Sequence, residues 1–224
     1  MAREDGGVIA SSFYVILHTV YSILDVMDKL LIATRNIGKF KEIKVILGEV
    51  PYEIVCLEDL SVQGDVVEDG ETYEENALKK ARFFSMGGGG VLTLSDDSGL
   101  EVSALKGELG LKTRRWGLGE SASDEEWLEY FLKEMEGTSD RSARFVCCAA
   151  LCGKDGFEKV FFGETRGVIT HKPEAPLLPG LPLSSCFRPE GQEKVYAALS
   201  EGEKGEVSHR GWAISAVRRW LMNI

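Results

Sequence analysis

Two adjacent carboxylates, Asp96 and Asp97, follow an apolar run, VLTL, and precede a Ser-Gly pair. A soluble chain can place such carboxylates at a solvated strand end, or it can use their oxygens to bind a hard cation. Neighbouring residues of a strand point to opposite faces, so one site can use both only if the backbone turns. We therefore expect a turn at Ser98 and Gly99, residue types that permit one.

Cations stand near the start of two predicted helices, although the positive end of a helix dipole favours acidic residues there. Asn36 suits an N-cap and would place Lys39 in the first turn of its helix. Ser208 suits another and would place His209 and Arg210 in the first turn of the last helix. A single case is better explained as a solvated side chain. Two cases in one chain favour anion sites, because a phosphate would use both the free N–H groups and the cation.

A further acidic residue, Glu68, stands just before the second predicted helix. Magnesium usually takes one or two carboxylates together with substrate phosphates and waters. Taken alone, each acidic cluster is more often a solvated turn. Together with the lysines and the expected phosphate sites, Glu68, Asp96 and Asp97 indicate metal-assisted chemistry on a phosphorylated ligand.

The elements that must position these residues follow from apolar runs and helical periodicity. Thr72 and Glu75 predict a capping box at the second helix, and a Lys-Asp-Gly turn predicts a hairpin between two long strands. The strands are predicted at residues 30–34, 52–57, 91–97, 143–153 and 157–169, and the helices at 37–47, 71–86, 123–135 and 208–221. This order predicts a mixed α/β sheet.

Composition narrows the class of protein. The 224 residues suit one large domain or two lobes around a cleft, and 44% hydrophobic with 28% charged residues is ordinary for a globular chain. The net charge of −10 and the lack of a Lys/Arg block argue against binding along nucleic acid. The five cysteines form no C-x-x-C pair, which favours a reducing, cytoplasmic location.

The N-terminal region contains an uncharged stretch at residues 8–24. It is shorter than the about 20 apolar residues of a membrane-spanning helix and includes Ser, Thr and His, so a membrane role is disfavoured. An extra packed helix, a weak anchor and an extension outside the functional domain are the alternatives. We treat residues 1–26 as an apolar extension of uncertain role and residues 27–224 as the functional domain.

Five segments in order resemble the motifs of the inosine/xanthosine triphosphate pyrophosphatase family. The matching residues run through most of the range 30–221. The segments are ATRNIGKFKEI, EDGETYEENALKKAR, SDDSGLEVSALKGELG, RRWG and EKGEVSHRGWA. Each is modest evidence alone, whereas the ordered set is strong.

The resemblance implies an elongated mixed β-sheet flanked by helices, with two lobes around a central cleft, and usually a homodimer. It implies Mg²⁺-dependent hydrolysis of non-standard purine nucleoside triphosphates (ITP, dITP, XTP) to the monophosphate and pyrophosphate. Such an enzyme cleanses the nucleotide pool.

The resemblance also assigns roles to residues that match its motifs. Asp97 would be the general base that orients or deprotonates the attacking water, with Lys39 as the second catalytic residue. Glu68 and Asp96 would hold the metal. The phosphate-binding residues would be Thr34, Asn36, Lys39 and Lys80. The residues at the base or lining its pocket would be Ser98, Arg115, Lys204, His209 and Arg210.

One family segment is replaced here, at residues 173–186. The family carries a Gly-Gly-Phe-Gly-aromatic-Asp-Pro loop whose aromatic residues enclose the base and whose Asp contributes to base recognition. Leu181, Leu183 and Ser184 stand in the places of its two aromatic residues and its Asp, and Pro182 replaces a glycine. Phe187 fits the closing Phe. The alternative to an active enzyme is therefore a degenerate nucleotide-binding protein of the same fold, with weak or altered base selectivity.

Overall fold

The fold is organised around a six-stranded mixed sheet with strand order β2-β1-β3-β4-β5-β6. The computed structural model describes residues 28–119 and 121–224, so the predicted extension at 1–26 lies outside the described residues. β1 pairs in parallel with β2 and β3, and the remaining neighbours are antiparallel. The strands are β1 (Lys29–Ile32), β2 (Glu53–Val55), β3 (Leu92–Val102), β4 (Ser142–Cys152), β5 (Glu158–Ile169) and β6 (Phe187–Pro189).

Helices cover both faces of the sheet. They are α1 (Ile37–Leu47), α2 (Tyr73–Gly87), α3 (Asp124–Glu134), α4 (Glu201–Val207) and α5 (His209–Leu221). α2 packs Ala77 and Ala81 against Cys148 of β4, whereas α1 and α5 share an apolar cluster with Cys147, the next residue along the same strand. Alternate residues of β4 are thus buried on opposite faces. In the described part of the chain, no helix is both long and apolar enough to cross a membrane.

The predicted mixed sheet with flanking helices is confirmed, and so is the hairpin. β4 and β5 pair antiparallel along their length, joined by a short 3₁₀ turn at Lys154–Gly156. Asp155 and Gly156 both have positive φ, which suits the Asp-Gly turn. Of the α-helices and strands in the described residues, two were not predicted: α4, because a seven-residue helix shows little periodicity, and the three-residue β6.

The predicted N-caps of the first and last helices are confirmed. Asn36 Oδ1 accepts a hydrogen bond from Lys39 N (3.0 Å), and Ser208 Oγ accepts one from Gly211 N (2.9 Å). The capping box at α2 is only half present. Thr72 Oγ1 accepts from Glu75 N (3.1 Å), but the Glu75 carboxylate accepts from the backbone of Glu71 instead of Thr72.

The expected turn at Ser98 and Gly99 is wrong. β3 continues through both residues to Val102 and stays paired with β4, with Gly99 opposite Val146. Glycine is required at position 99 for another reason, because a Cβ there would lie 2.1 Å from the carbonyl oxygen of Gly110. Gly99 lets the 3₁₀ segment Gly110–Arg115 lie directly against the strand.

A second glycine, Gly163 of β5, lets α5 approach the sheet. A Cβ at Gly163 would lie 2.1 Å from His209 O and 2.8 Å from Ala213 N. Since these are backbone atoms of a packed helix, they cannot move aside without shifting the helix.

We predict that Gly163→Ala lowers the free energy of unfolding by about 3 kcal/mol or more, because overpacking forces α5 off β5. Gly202→Ala is the matched control, since no atom lies within 4 Å of a Cβ at that helical position. It should be neutral or stabilising by up to about 1 kcal/mol. Urea unfolding of both variants measures the difference. Equal stability of Gly163→Ala and wild type would contradict the proposed close packing.

Candidate active site

The predicted site residues surround one cleft of about 710 Å³ beyond the carboxyl end of β1. β1 ends at Ile32, opposite Leu94, and β3 continues past that point. Open α/β sheets place ligands at such strand ends. All predicted site residues except Asp96 line the cleft: Thr34, Asn36, Lys39, Glu68, Lys80, Asp97, Ser98, Arg115, Lys204, His209 and Arg210.

Asp96 and Asp97 serve opposite faces of β3, because the strand remains extended through both. Asp96 Oδ2 lies 3.1 Å from Lys39 Nζ on α1 and 3.3 Å from Arg210 Nη2 on α5. On the other face, Asp97 Oδ1 lies 3.6 Å from Lys80 Nζ on α2. The two carboxylates therefore reach the surroundings of the cleft from two sides of one strand, without the turn that we expected.

Asp96 is buried, and its two oxygens have different environments. Oδ2 accepts hydrogen bonds from the Arg210 guanidinium, whereas Oδ1 has no hydrogen-bond partner among the described residues. Burial would raise the pKa of Asp96, but the charges of Lys39 and Arg210 outweigh that effect and hold the pKa well below its usual range. Asp96 is therefore ionised at neutral pH.

Glu42 is a site residue to which we assigned no role from sequence. Its carboxylate pairs with Lys204, and its Oε2 lies 2.5 Å from Arg210 Nη1. Burial would raise the pKa of Glu42, but Arg210 and Lys204 outweigh it, so the pKa is lowered. The sequence did contain a signal for Glu42, because this residue is the only Glu of ATRNIGKFKEI, the first of the five segments that resemble the family motifs.

Lys80 connects the acidic residues on the α2 side of the cleft. Its Nζ lies 3.1 Å from Glu68 Oε1 and donates a 2.6 Å hydrogen bond to the backbone oxygen of Asp96. Burial would lower the pKa of Lys80, but Asp97, Asp96 and Glu68 outweigh it and raise the pKa. Lys80 is therefore a buried cation with neighbouring carboxylates, the arrangement that makes such burial tolerable.

Asp97 differs from Asp96 in its protonation behaviour. Its Oδ2 accepts from Asn76 Nδ2 (3.1 Å), and its Oδ1 accepts from the backbone N–H of Ser98 (3.0 Å). Burial raises the pKa of Asp97, and the lowering effect of Lys80 does not cancel it. Two adjacent carboxylates thus have pKa values shifted in opposite directions, as expected where one must stay charged and the other can accept a proton.

His209, the first residue of α5, is buried in an aromatic stack. Its ring lies 4.6 Å from the Phe145 ring and 6.0 Å from the Tyr196 ring, with small interplanar angles. Burial and the nearby Arg210 lower the pKa of His209 well below its usual value, so the imidazole is neutral. Its Nδ1 has no hydrogen-bond partner among the described residues.

Other predicted residues hold the backbone or each other around the cleft. Ser98 Oγ accepts from Arg210 Nη2 (3.0 Å), and Thr34 Oγ1 accepts from the backbone N–H of Asn36 (3.2 Å). Arg115 Nη1 donates to the backbone oxygen of Glu68 (3.1 Å). Arg115 therefore contacts the segment that presents Glu68 as well as lining the cleft.

Residues 181–184, here called the base wall, line the cleft between α1 and α3. Pro182 begins a 3₁₀ helix, Pro182–Ser185, where its fixed φ is compatible and its missing N–H is not needed. Leu183 and Ser184 are both 6% exposed, and Leu183 belongs to a core cluster with Phe187 and Tyr196. The base wall is thus packed and contains no aromatic or acidic residue.

The acidic residues are suited to bind a hard cation whose remaining coordination positions are filled by a substrate. No group of three or more His, Cys, Asp or Glu within the described chain could hold a metal ion by itself. Two observations make the donor set suitable nonetheless: Asp96 Oδ1 is a buried carboxylate oxygen without a partner, and the Glu68 side chain is 35% exposed at the cleft. One or two carboxylates plus phosphates are what Mg²⁺ commonly uses.

A larger cavity of about 1170 Å³ lies beside the cleft, lined in part by Glu101, Arg144 and Arg166. These residues already have ion-pair partners: Arg144 lies 2.8 Å from Glu101, and Arg166 lies 3.4 Å from Glu164. None of the predicted site residues lines it. The smaller cleft, with its buried charges and perturbed pKa values, is the candidate active site.

Known proteins resemble the chain over most of its length. A family model described as the Ham1 family matches residues 30–220. A dITP/XTP pyrophosphatase of Geobacter sulfurreducens is 40% identical over 197 residues, covering 87% of this chain and 97% of that protein. The structure of the Staphylococcus aureus Ham1 protein aligns with a TM-score of 0.74 at 35% identity, covering 88% of this chain and 99% of the other. A HAM1 protein from Coxiella burnetii aligns with a TM-score of 0.75 at 30% identity, covering 88% and 100%.

We predict that Asp96→Asn lowers the free energy of unfolding at pH 7 by about 3 kcal/mol, because Lys39 and Arg210 lose a buried counter-charge. Glu101→Gln is the control, since it removes one carboxylate from an exposed ion pair with Arg144 and should cost less than about 1 kcal/mol. Urea unfolding of the two variants measures both values. Similar losses of stability in the two variants would mean that the charge of Asp96 stabilises the fold no more than an exposed carboxylate does.

The cost of Asp96→Asn should also depend on pH. Because the pKa of Asp96 is lowered in the folded state, its stabilisation is present above the unfolded pKa of about 3.9 and is lost as pH falls toward the folded pKa. The gap between wild type and variant should be full at pH 6–7 and shrink below about pH 4. A gap that is the same at all pH values would assign the loss to packing.

Proposed function

This chain belongs to the Ham1 family, and from that membership and the chemistry of its cleft we propose that it hydrolyses non-standard purine nucleoside triphosphates. The substrates are ITP, dITP and XTP, and the products are the nucleoside monophosphate and pyrophosphate. Relatives named dITP/XTP pyrophosphatase support this substrate class. The enzyme is a nucleoside triphosphate pyrophosphohydrolase that clears the nucleotide pool.

The observation that carries the proposal is the charge pattern of the cleft. Lys39, Lys80 and Arg210 are cations held in place by carboxylates, and Asp97, which lies 3.6 Å from Lys80, has a raised pKa. Phosphoryl chemistry needs positioning and charge stabilisation more than covalent catalysis. A fixed cation set beside one proton acceptor meets both needs.

Asp97 is the general base in this proposal. Its hydrogen bonds to Asn76 and Ser98 fix the carboxylate, and its raised pKa makes it a better proton acceptor than an exposed Asp. Water attacks the α-phosphorus, the one nearest the ribose, while Asp97 accepts a proton from that water. The bond between the α-phosphorus and the oxygen that bridges to the β-phosphorus breaks, and pyrophosphate leaves. No covalent enzyme intermediate is needed, and the thiol of Cys147, the cysteine beside Asp96, is buried with a raised pKa.

The triphosphate binds at the start of α1. Lys39 supplies charge as the second catalytic residue, and Thr34 and Asn36 line the approach to the helix N-terminus. Lys80 supports the phosphates from the α2 side. These groups are already held by neighbours, so little reorganisation opposes substrate binding.

The base end of the cleft is formed by the last two helices and the base wall. Lys204, His209 and Arg210 contact the base or nearby phosphates, and Ser98 and Arg115 line the pocket. The neutral, stacked imidazole of His209 can serve as a hydrogen-bonding group without adding charge.

Glu68 and Asp96 would hold Mg²⁺ together with the substrate phosphates. When bound, the ion neutralises phosphate charge and polarises the phosphoryl oxygens. We also propose that the enzyme is a cytoplasmic homodimer and that residues 27–224 form the catalytic domain. The family match at residues 30–220 supports the domain bounds, the family resemblance supports the homodimer, and five free thiols fit a reducing compartment.

The alternative, a degenerate nucleotide-binding protein, is not favoured. The altered base wall motivates it, but the phosphate end retains Lys39, Lys80, Asp96 and Asp97 in a connected ion network. A chain under no demand for catalysis has little reason to keep a raised-pKa carboxylate beside buried cations.

We predict that the wild-type protein releases pyrophosphate from dITP or XTP in the presence of Mg²⁺, and that Asp97→Asn lowers kcat by about 100-fold or more. The amide keeps the shape of the side chain but cannot take the proton. Pyrophosphate release is measured across a panel of nucleoside triphosphates with and without Mg²⁺. Glu164→Gln is the control, since Glu164 lies in an exposed ion pair on β5 and should leave kcat unchanged.

The two possible failures of this assay have different meanings. Absence of metal-dependent pyrophosphate release from every triphosphate would reject the proposed activity. Full activity of Asp97→Asn would reject only the assignment of the base.

We further predict that the base wall weakens discrimination or lowers kcat/KM for ITP and XTP. Replacing it with the family loop through Leu181→Phe, Pro182→Gly, Leu183→Tyr and Ser184→Asp should raise kcat/KM for ITP relative to ATP by about 5- to 150-fold, the equivalent of 1–3 kcal/mol for a restored polar partner. The same loop with Ser184→Asn instead isolates the contribution of the charge. Comparable kcat/KM before and after the replacement would refute a selectivity role for the altered wall.

A further inference from the structure

We infer that Asn36 and Asp124 are positioning residues that hold the base wall through Gly180, so that base selection depends on the cap of α1. Gly180 immediately precedes the base wall. Asn36 Nδ2 donates to Gly180 O (2.9 Å), and Gly180 N donates to Asp124 Oδ2 (2.6 Å). Both backbone polar groups of one residue are thus bound by side chains from two different helix starts.

The side chain of Asn36 has two distinct contacts. Its Oδ1 caps α1 by accepting from Lys39 N (3.0 Å), while its Nδ2 holds Gly180. One amide therefore connects the helix that carries Lys39 to the segment that flanks the base. A role limited to phosphate binding does not account for the contact with Gly180.

The close approach of this segment to α1 requires glycine on both sides. Gly180 has φ +75°, and a Cβ there would lie 2.6 Å from Asn36 Oδ1. A Cβ at Gly38, in the first turn of α1, would lie 2.7 Å from Pro179 O and 2.9 Å from Leu181 Cγ. The two segments therefore pack closely, with the Asn36 amide against Gly180 and the Pro179 carbonyl against Gly38, and a shift in either segment is transmitted to the other.

Asp124 is held in place at the start of α3. Ser123 caps this helix, so Asp124 is its first residue, where a carboxylate suits the helix dipole. Arg114 Nη2 lies 3.7 Å from Asp124 Oδ1 and donates to Ala122 O (2.7 Å). The charge-assisted hydrogen bond from Gly180 therefore ends on a fixed acceptor.

Asn36→Asp separates the two contacts of Asn36. Aspartate is as good an N-cap as asparagine, so α1 stays capped, but the donor to Gly180 O is lost. Asn223→Asp is the matched control, because it removes an equivalent donor, to Arg219 O, near the C-terminus of the chain. Asp124→Ala removes the acceptor on the other side, and Asp124→Asn retains an oxygen that can accept from Gly180 N.

The first measurement is amide hydrogen exchange of a peptide covering residues 178–186, by mass spectrometry of the full chain. We expect Asn36→Asp and Asp124→Ala to accelerate exchange there by about 3- to 10-fold, as for the loss of one hydrogen bond. Asp124→Asn should recover much of the protection, and Asn223→Asp should equal wild type. Unchanged exchange in Asn36→Asp would overturn the inference, whatever the activity of the protein.

The second measurement tests base selection and rests on the proposed function. The ratio of kcat/KM for ITP to that for ATP should fall at least about 3-fold in Asn36→Asp and Asp124→Ala and stay constant in Asn223→Asp. Accelerated exchange with an unchanged ratio would refute the link to base selection. Failure of wild type to hydrolyse any triphosphate would refute the proposed function, while the exchange data would still decide whether Asn36 and Asp124 position the wall.

Discussion

The buried carboxylate of Asp96 is the interaction on which the site depends. It joins β3 to the first turn of α1 through Lys39 and to the first turn of α5 through Arg210. Cations in a first turn oppose the helix dipole, and here a fully ionised carboxylate offsets that cost. Glu42 adds a second acceptor for Arg210, so the two helix starts face each other across a shared set of charges.

This arrangement also explains how cations can be ready for an anionic ligand. In the protein alone, carboxylates hold Lys39 and Arg210 in fixed positions at the edge of the cleft. A triphosphate would meet charges whose orientation has already been established during folding, which is the main electrostatic advantage of a preorganised site. The fold therefore depends on these carboxylates, because removing one would leave a buried cation unpaired, which strongly destabilises a protein.

The sequence predicted the helix caps beside the cleft well and the course of the backbone less well. Asn36 and Ser208 could be recognised as caps because capping is local, and Lys39, His209 and Arg210 followed from their positions relative to those caps. The turn at Ser98 and Gly99 was wrong, because the need for Gly99 comes from Gly110, a contact that local sequence does not encode. The hydrogen bonds that hold Gly180 come from Asn36 and Asp124, which are far from it in the sequence, so no local pattern could predict them.

The continuous path of β3 has a genetic consequence. Asp96 and Asp97 project to opposite faces of β3. Which face each one reaches depends on whether the number of residues between Leu94 and the pair is odd or even. Inserting or deleting a single codon there would exchange the two sides and direct each carboxylate toward the neighbours of the other. This strand should therefore tolerate no change of length, unlike the variable surface loops around it.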